Sequence, residues 1–324
     1  MKKKPLLIIA GEPNSIFLEI FFKSYNKINI KKPILLIVSK KLLLNQMKKL
    51  NYNFKFNFLK KDNFNISKIT YNKINIINVD FSFKKPFDKI SKKSKKYINE
   101  CFEVGFEIIK KFNLKFLING PVSKKHFLEK KFQGVTEYLA KKTNKSGEET
   151  MLIYNKKLSV CPITTHDALR NIFRKITKKK ITKKILSINK FYKEVLKKKV
   201  SFAVTGINPH CETKEKFNEE KKIIIPAIKS LKRIGVKIEG PFPADTIFLK
   251  QNLKKFDVIV GMYHDQVLAP MKTIFGFNAI NITIGLPFIR ITPDHGPNYK
   301  MFGLNKSKPD SLIQAFSFIK KYVG

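Results

Sequence analysis

The chain has no tryptophan, three cysteines, and four arginines (Arg170, Arg174, Arg233, Arg290) among 66 basic residues, so the other 62 are lysine. Cys101, Cys161 and Cys211 are widely spaced and form no CxxC pair, which fits a reduced intracellular protein without a disulfide framework. Arginine is the side chain that reads phosphate and guanine through two parallel hydrogen bonds, and its scarcity argues against specific nucleic-acid recognition. That argument holds despite a net charge of +42. The lysines are spread along the chain, densest over 176–199. Together with abundant Asn, Ile and Phe they read as the drift of AT-rich codons, with weak, salt-sensitive adherence to polyanions as its by-product. No apolar run reaches the roughly 20 residues that cross a bilayer. The opening MKKKPLLIIAGEP offers about six apolar residues, short of the roughly 7–15 of an export core. Residues 6–10 therefore read as a first buried strand, and the protein is expected to be cytoplasmic with no membrane partner. None of the 14 glycines forms GxGxxG, and neither HExxH nor GxSxG occurs. Gly235 and Gly240 have P-loop spacing, but Pro241-Phe242 follows where Lys-Ser/Thr belongs.

What is present is a chain of 324 residues, 43% hydrophobic with 29 phenylalanines, enough for one large or two medium cores. Short apolar runs at 5–10, 33–38, 73–79, 114–118, 158–163, 200–205, 236–239, 257–262 and 279–284 read as strands. Helical segments are expected between and after them, at 16–26, 89–112, 182–198, 218–234 and 310–322. This alternation specifies an α/β architecture with largely parallel strands. No repeat or Pro/Gly/Ser linker separates domains, and 127–147 is the most plausible crossing point.

Only five histidines occur, and three stand just past strand-like runs: VCPITTH ends at His166, SFAVTGINPH at His210 and DVIVGMYH at His264. Open α/β sheets bind ligands outside the carboxyl ends of their strands. Three neutral imidazoles leave coordination positions open, as catalytic divalent-metal sites do. Each histidine taken singly is as well explained as a strand-end cap. Asp167 and Asp265 follow two of them directly. Asp245 and Asp265 are candidates to orient ligands or relay a proton. Cys211 is either a soft ligand or a spectator thiol, and His126 reads as structural.

The block DVIVGMYHDQVLAPMKTIFGFNAINITIGLPFIRITPDHG at 257–296 resembles the 4-hydroxythreonine-4-phosphate dehydrogenases of pyridoxal phosphate biosynthesis (the PdxA family). NGPVSKKHF at 119–127, GVTEYLA at 134–140, TTHDALR at 164–170, INPHCE at 207–212 and GPFPADTIF at 240–248 extend the match in order over nearly the whole chain. The resemblance implies an isopropylmalate-dehydrogenase-like fold of two α/β domains. The first domain is expected over 1–130 plus 300–324, and the second, with the histidines, over 131–299. It also implies a homodimer with active-site clefts between domains at the dimer interface. The implied reaction is NAD- or NADP-dependent oxidation of 4-phosphooxy-L-threonine, followed by decarboxylation to 3-amino-2-oxopropyl phosphate.

By the same resemblance His166, His210 and His264 fall on ligands of one divalent ion, which could be Zn, Mg, Mn or Co. Thr136, Lys272, Asn281 and Arg290 fall on substrate-contacting positions, and His295 with Gly296 on the cofactor-side loop. Lys272 joins Asp245 and Asp265 as a candidate catalytic group. Lys272 is equally a solvated lysine, Asn281 a strand-end hydrogen bonder, and His295 a loop histidine. This chain departs from the family pattern at GEPNSIFLEI, at Val135 where the family has histidine, and at PNYKMFGLNKSKP, which puts Lys300 where aspartate is usual. A sister enzyme for threonate or erythronate 4-phosphate, or a non-catalytic polyanion-binding protein on the same fold, are the alternative readings.

Overall fold

A computed structural model describes residues 4–28, 32–62, 64–129, 131–276, 278–293 and 295–323. The chain forms two compact units, one from 1–138 with 287–324 and the other from 139–286.

The first unit begins β1 (Leu6–Ile9), α1 (Phe17–Lys27), β2 (Ile34–Val38), α2 (Lys40–Lys49), β3 (Phe56–Leu59), β4 (Ile74–Asn78), α3 (Ser94–Phe112) and β5 (Phe116–Asn119). β1 and β2 read LLII and ILLIV and are buried at every position. Strands apolar on both faces belong inside a parallel sheet covered on both sides. Ser39 caps α2, its hydroxyl accepting from Leu42 N–H at 3.4 Å. α3 ends on Asn113 at φ 47°, ψ 56°, a left-handed stop that asparagine tolerates. The phenylalanine excess goes into packing here: Phe17, Phe21, Phe22 and Phe102 are at most 1% exposed.

α4 (Val135–Lys142) leads into the second unit, which runs β6 (Thr150–Tyr154), β7 (Ser159–Pro162), α5 (Leu169–Lys175), α6 (Lys178–Phe191), β8 (Ser201–Thr205), α7 (Ile225–Arg233), β9 (Lys237–Phe242), α8 (Lys250–Leu253), β10 (Val258–Gly261), α9 (His264–Phe275) and β11 (Ile280–Ile284). A π turn, Glu220–Ile224, runs directly into α7. The chain then returns to the first unit with β12 (Ile289–Pro293) and α10 (Asp310–Val323).

Strand order in the first unit is β3-β4-β2-β1-β5-β12, parallel throughout. In the second it is β11-β6-β7-β10-β8-β9. There β6 runs antiparallel to both β11 and β7, while β7, β10, β8 and β9 are mutually parallel. The parallel arrangement expected from the sequence is complete in one unit and interrupted by β6 in the other. Residues 131–138 and 287–299 group with the first unit, whereas the resemblance suggested the second. β12 supplies the physical reason, since it pairs in register with β5, Arg290 opposite Leu117.

Candidate active site

β7, β10 and β8 lie side by side and parallel, so their carboxyl ends share one edge, with neighbouring strands about 4.8 Å apart. His166 stands four residues beyond β7, His264 three beyond β10 and His210 five beyond β8. The rings of His166 and His264 are brought together, centroids 6.2 Å apart. His210 sits in the turn Pro209–Cys211, exposed, at φ 55°, ψ 15°. Among the described residues no group of three or more His, Cys, Asp or Glu is set to hold a metal ion. Two of the three imidazoles are therefore paired, and the third is carried on the adjacent strand end. By residue type three histidines suit a divalent ion, and the His166 and His264 rings are the pair that are already neighbours.

His264 opens α9, which packs on β7 and β10. Its Nδ1 lies 2.7 Å from Asp265 Oδ1. With Nδ1–H donated to that carboxylate, the free lone pair is on Nε2, the arrangement found around metal-bound imidazoles. Asp265 also suits the positive end of a helix dipole.

The turn before His264 is held by Gln266, 9% exposed. Its Oε1 accepts from Met262 N–H at 2.6 Å and Thr205 hydroxyl at 2.8 Å, and its Nε2 donates to Gly206 C=O at 2.7 Å. Gly261 admits this geometry because a Cβ there would lie 2.4 Å from Val267 Cγ1 and 3.1 Å from Gln266 Oε1.

Asp245 is exposed, in the turn after β9. Burial raises the Cys211 thiol pKa, and the negative charge of Asp245 adds to the rise, so this carboxylate is within electrostatic reach of the His210 turn. Lys272 lies on α9 eight residues past His264, roughly 12 Å along the axis. It is half-buried, and burial lowers its pKa. Asn281 lies on β11 opposite Ile153 of β6, and Ile153 is opposite Val160 of β7. That register sets it below the carboxyl edge. Its Oδ1 is buried without a hydrogen-bond partner among the described residues, an acceptor suited to a ligand's N–H or O–H.

In the first unit Arg290 on β12 is 4% exposed. Its Nε donates to Asn119 Oδ1 at 2.6 Å, Nη2 to Thr292 at 2.9 Å and Nη1 to the Thr136 hydroxyl at 3.3 Å. Burial pulls its pKa down to about 10, and nearby Glu137 resists the fall. It remains a cation at neutral pH. These partners fix the guanidinium plane, and the Glu137 carboxylate is near enough to act on its charge. The structure thus joins two sequence candidates, Thr136 and Arg290, by a direct hydrogen bond, and adds Asn119 and Thr292, acceptors from Arg290 that sequence reasoning missed.

His295 Nδ1 lies 3.0 Å from Gly296 C=O. Its Nε2 is buried without a partner among the described residues, and burial lowers its pKa. A neutral imidazole with one buried nitrogen to spare fits a hydrogen bond to a nicotinamide cofactor. Gly296 is exposed, and a Cβ there would meet nothing within 4 Å. Asp294 lies outside the described residues.

Residues 29–319 match the family of the pyridoxal phosphate biosynthetic protein PdxA. A 4-hydroxythreonine-4-phosphate dehydrogenase of Sulfurihydrogenibium sp. (strain YO3AOP1) is 37% identical over 315 residues, covering 96% of this chain and 95% of its own. The chain belongs to the PdxA family. A D-threonate 4-phosphate dehydrogenase of Pectobacterium atrosepticum is also 37% identical, over 56% of each chain. The crystal structure of 4-hydroxythreonine-4-phosphate dehydrogenase from Klebsiella pneumoniae superposes with a TM-score of 0.83 at 25% identity, covering 99% of this chain and 98% of that one. An isocitrate dehydrogenase from Methylococcus capsulatus, 10% identical with a TM-score of 0.53 over 98% and 86% of the two chains, places the fold in the wider group expected from the sequence.

Within this PdxA-family chain, the departures from the common pattern carry their own hydrogen bonds. In GEPNSI, the Ser15 hydroxyl donates to Glu12 C=O at 2.8 Å and accepts from Phe17 N–H at 3.2 Å. Asn14 Oδ1 accepts from Asp88 N–H at 3.1 Å. Ile16 N–H donates to Pro297 C=O at 3.2 Å, so the altered turn after β1 touches the altered segment after His295.

Glu12 itself is 2% exposed. Burial drives its carboxyl up to about 7, against hydrogen bonds from Ser94 and Asn14. Val135 opens α4 directly before Thr136. Glu220 is the other group sequence reasoning missed. Burial opposes its charge, but hydrogen bonds from Asn208 and Ile207 outweigh that and hold its pKa below the usual range.

Proposed function

We propose that this chain is a nicotinamide- and divalent-metal-dependent dehydrogenase that oxidises 4-phosphooxy-L-threonine, whose product loses CO₂ to give 3-amino-2-oxopropyl phosphate. The observation that carries this reading is the sheet edge where β7, β10 and β8 deliver His166, His264 and His210. The full-length similarity to 4-hydroxythreonine-4-phosphate dehydrogenases supports it.

His166, His210 and His264 are assigned as ligands of one divalent ion. When bound there, such an ion lowers the pKa of a coordinated hydroxyl and polarises a carbonyl oxygen. The protein's own groups do the rest. Asp265 holds His264 in the tautomer that leaves Nε2 available. Asp245, exposed beside the His210 turn, is suited to accept the proton released from the substrate hydroxyl. Lys272 Nζ, its pKa lowered by burial, suits proton transfer near neutrality better than an ordinary lysine does. Asn281 Oδ1 accepts from the substrate's hydroxyl or ammonium group, and Arg290 with Thr136 binds its phosphate or carboxylate. His295 and Gly296 serve NAD or NADP.

The two compact units are taken as the two domains, and the working form as a homodimer. α5 offers exposed Leu169 and Phe173, one helical turn apart just after His166, as a surface for such pairing. The free thiols Cys101, Cys161 and Cys211 suit the cytoplasm, and among the described residues no helix is long and apolar enough to cross a membrane.

Val135, standing where a polar group is usual, supports a second reading with D-threonate or erythronate 4-phosphate as substrate. The test is reduced-cofactor formation from each phosphate ester with NAD and NADP, after chelation and after return of Zn²⁺, Mg²⁺, Mn²⁺ or Co²⁺. Turnover of 4-phosphooxy-L-threonine that a chelator abolishes and a metal restores is expected. Turnover of a threonate or erythronate phosphate alone moves the chain to the second reading, and turnover untouched by chelation removes the metal.

A further inference from the structure

Glu220 is 1% exposed, and no cation pairs with it among the described residues. A buried carboxylate without a counter-ion has to be stabilised by hydrogen bonds. Its Oε1 accepts from Ile207 N–H at 2.8 Å and Asn208 N–H at 2.9 Å, and its Oε2 accepts from Asn208 Nδ2 at 2.9 Å. All three donors lie on the segment that leads into His210.

That segment is conformationally demanding. His210 and Cys211 are consecutive non-glycine residues at φ 55° and 63°, a left-handed pair that persists only where its surroundings over-determine it. Cys211 N–H closes back on Asn208 C=O at 3.0 Å, and Glu212 N–H on Pro209 C=O at 3.1 Å. The turn is packed so tightly that a Cβ on Gly206 would lie 2.7 Å from Cys211 Sγ and 3.0 Å from Glu220 Oε1.

The peptide group joining Gly206 to Ile207 is gripped at both ends. Its N–H donates to Glu220, and its C=O accepts from Gln266 of the His264 turn. We propose that Glu220 is the positioning residue of the His210 loop, setting His210 at a fixed spacing from His264 through this doubly held peptide. Its consequence for metal binding rests on the histidine-ligand reading given above. Glu220 touches no histidine and acts only through the loop.

The test compares Glu220→Gln with Glu220→Asp, and uses His210→Ala as a control. Readouts are Co²⁺ affinity with its visible spectrum, and hydrogen exchange at the Ile207 and Asn208 amides. Glutamine keeps one oxygen where both backbone donors converge, whereas aspartate keeps the charge but is one methylene too short. Glu220→Gln is expected to bind Co²⁺ close to wild type with both amides protected. Glu220→Asp is expected to lose roughly 10–100-fold in Co²⁺ affinity, the usual scale for groups that orient a ligand, with faster exchange at both amides and unchanged helix content. The reverse ranking, or an aspartate variant equal to wild type in both readouts, overturns the proposal. If His210→Ala binds Co²⁺ as tightly as wild type, the metal reading fails instead. In that case the exchange rates still decide, because unchanged protection in Glu220→Asp refutes a loop-holding role by itself.

Discussion

Gln266→Leu isolates the bracket under the His264 turn, because leucine has similar volume and leaves little cavity. The change deprives Met262 N–H and Gly206 C=O of their partners, at 2.6 and 2.7 Å in the native protein. The Thr205 hydroxyl keeps an alternative, since it already lies 3.4 Å from Val260 C=O. Two buried backbone groups are then left without partners at about 1–3 kcal/mol each, or about 2–6 kcal/mol in total. For a chain of 324 residues, with about 2.1 cal/mol/K of unfolding entropy per residue, 1 kcal/mol moves the melting temperature by about 1.5 °C, so a cost near 3 kcal/mol lowers it by about 4–5 °C. The assay is a calorimetric or fluorescence melt of the metal-free protein, repeated with saturating Co²⁺. The stabilisation gained from Co²⁺ is expected to shrink as well, because the bracket ties the turn before His264 to the segment before His210. A melt within about 1 °C of wild type would mean that these hydrogen bonds carry no net weight.

Gly261→Ala forces a Cβ to 2.4 Å from Val267, whose side chain is fully buried, so α9 has to shift; turnover should fall sharply while the fold persists, and an unchanged kcat/KM refutes the steric argument. Glu12, raised to about 7 by burial, contributes stability that is fully present below pH 4.5 and is lost as pH rises through 7. The swing is of the order of 3 kcal/mol at about 1.4 kcal/mol per pKa unit, and urea midpoints at several pH values should lose this slope in Glu12→Gln. Val135→His, beside Thr136 and Arg290, restores a charge-assisted hydrogen bond of about 1.5–3 kcal/mol, and is expected to lower KM for 4-phosphooxy-L-threonine more than it raises kcat; a change confined to kcat refutes a pure binding role. Nucleic-acid binding should be weak, indifferent to sequence and steeply salt-dependent, and a tight, selective site at high salt refutes the drift reading of the lysines.

The legible parts of the sequence were those where one physical rule dominates. Doubly buried strands such as β1, β2 and β10 announce themselves as uninterrupted apolar runs, and the histidines mark the carboxyl edge because they directly follow such runs. β3 was missed because it is a half-exposed edge strand reading FNFL. β12 was missed because its second residue is the buried Arg290, which no hydropathy pattern assigns to a strand interior. α9 escaped because it begins on His264 and contains Pro270, so tertiary packing on β7 and β10 overrides weak helix signals. Gln266 lies in the HDQ string and was within reach of motif reading. Glu220 was not, since nothing in the run Glu219-Glu220-Lys221-Lys222 gives a sign that Glu220 turns inward. The Arg290–Asn119 bond, spanning 171 residues, depends on the β5–β12 register and on nothing local.

The first unit is discontinuous in the chain, and this has a consequence for biosynthesis. β5 ends at Asn119, and its partner β12 begins at Ile289, 170 residues later. Ribosomes add about 5–20 residues per second, so the nascent chain spends on the order of 10 to 30 s with that flank of β5 unpaired. The second unit, one uninterrupted segment from 139 to 286, can finish folding in that interval. Completion of the first unit then waits for β12 and for α10, which packs on both α1 and β12. An unsatisfied strand edge is an invitation to wrong partners. Slow or stalled translation between residues 120 and 288 is thus the step at which this protein is most exposed to aggregation, and a chaperone that shields strand edges would matter most there.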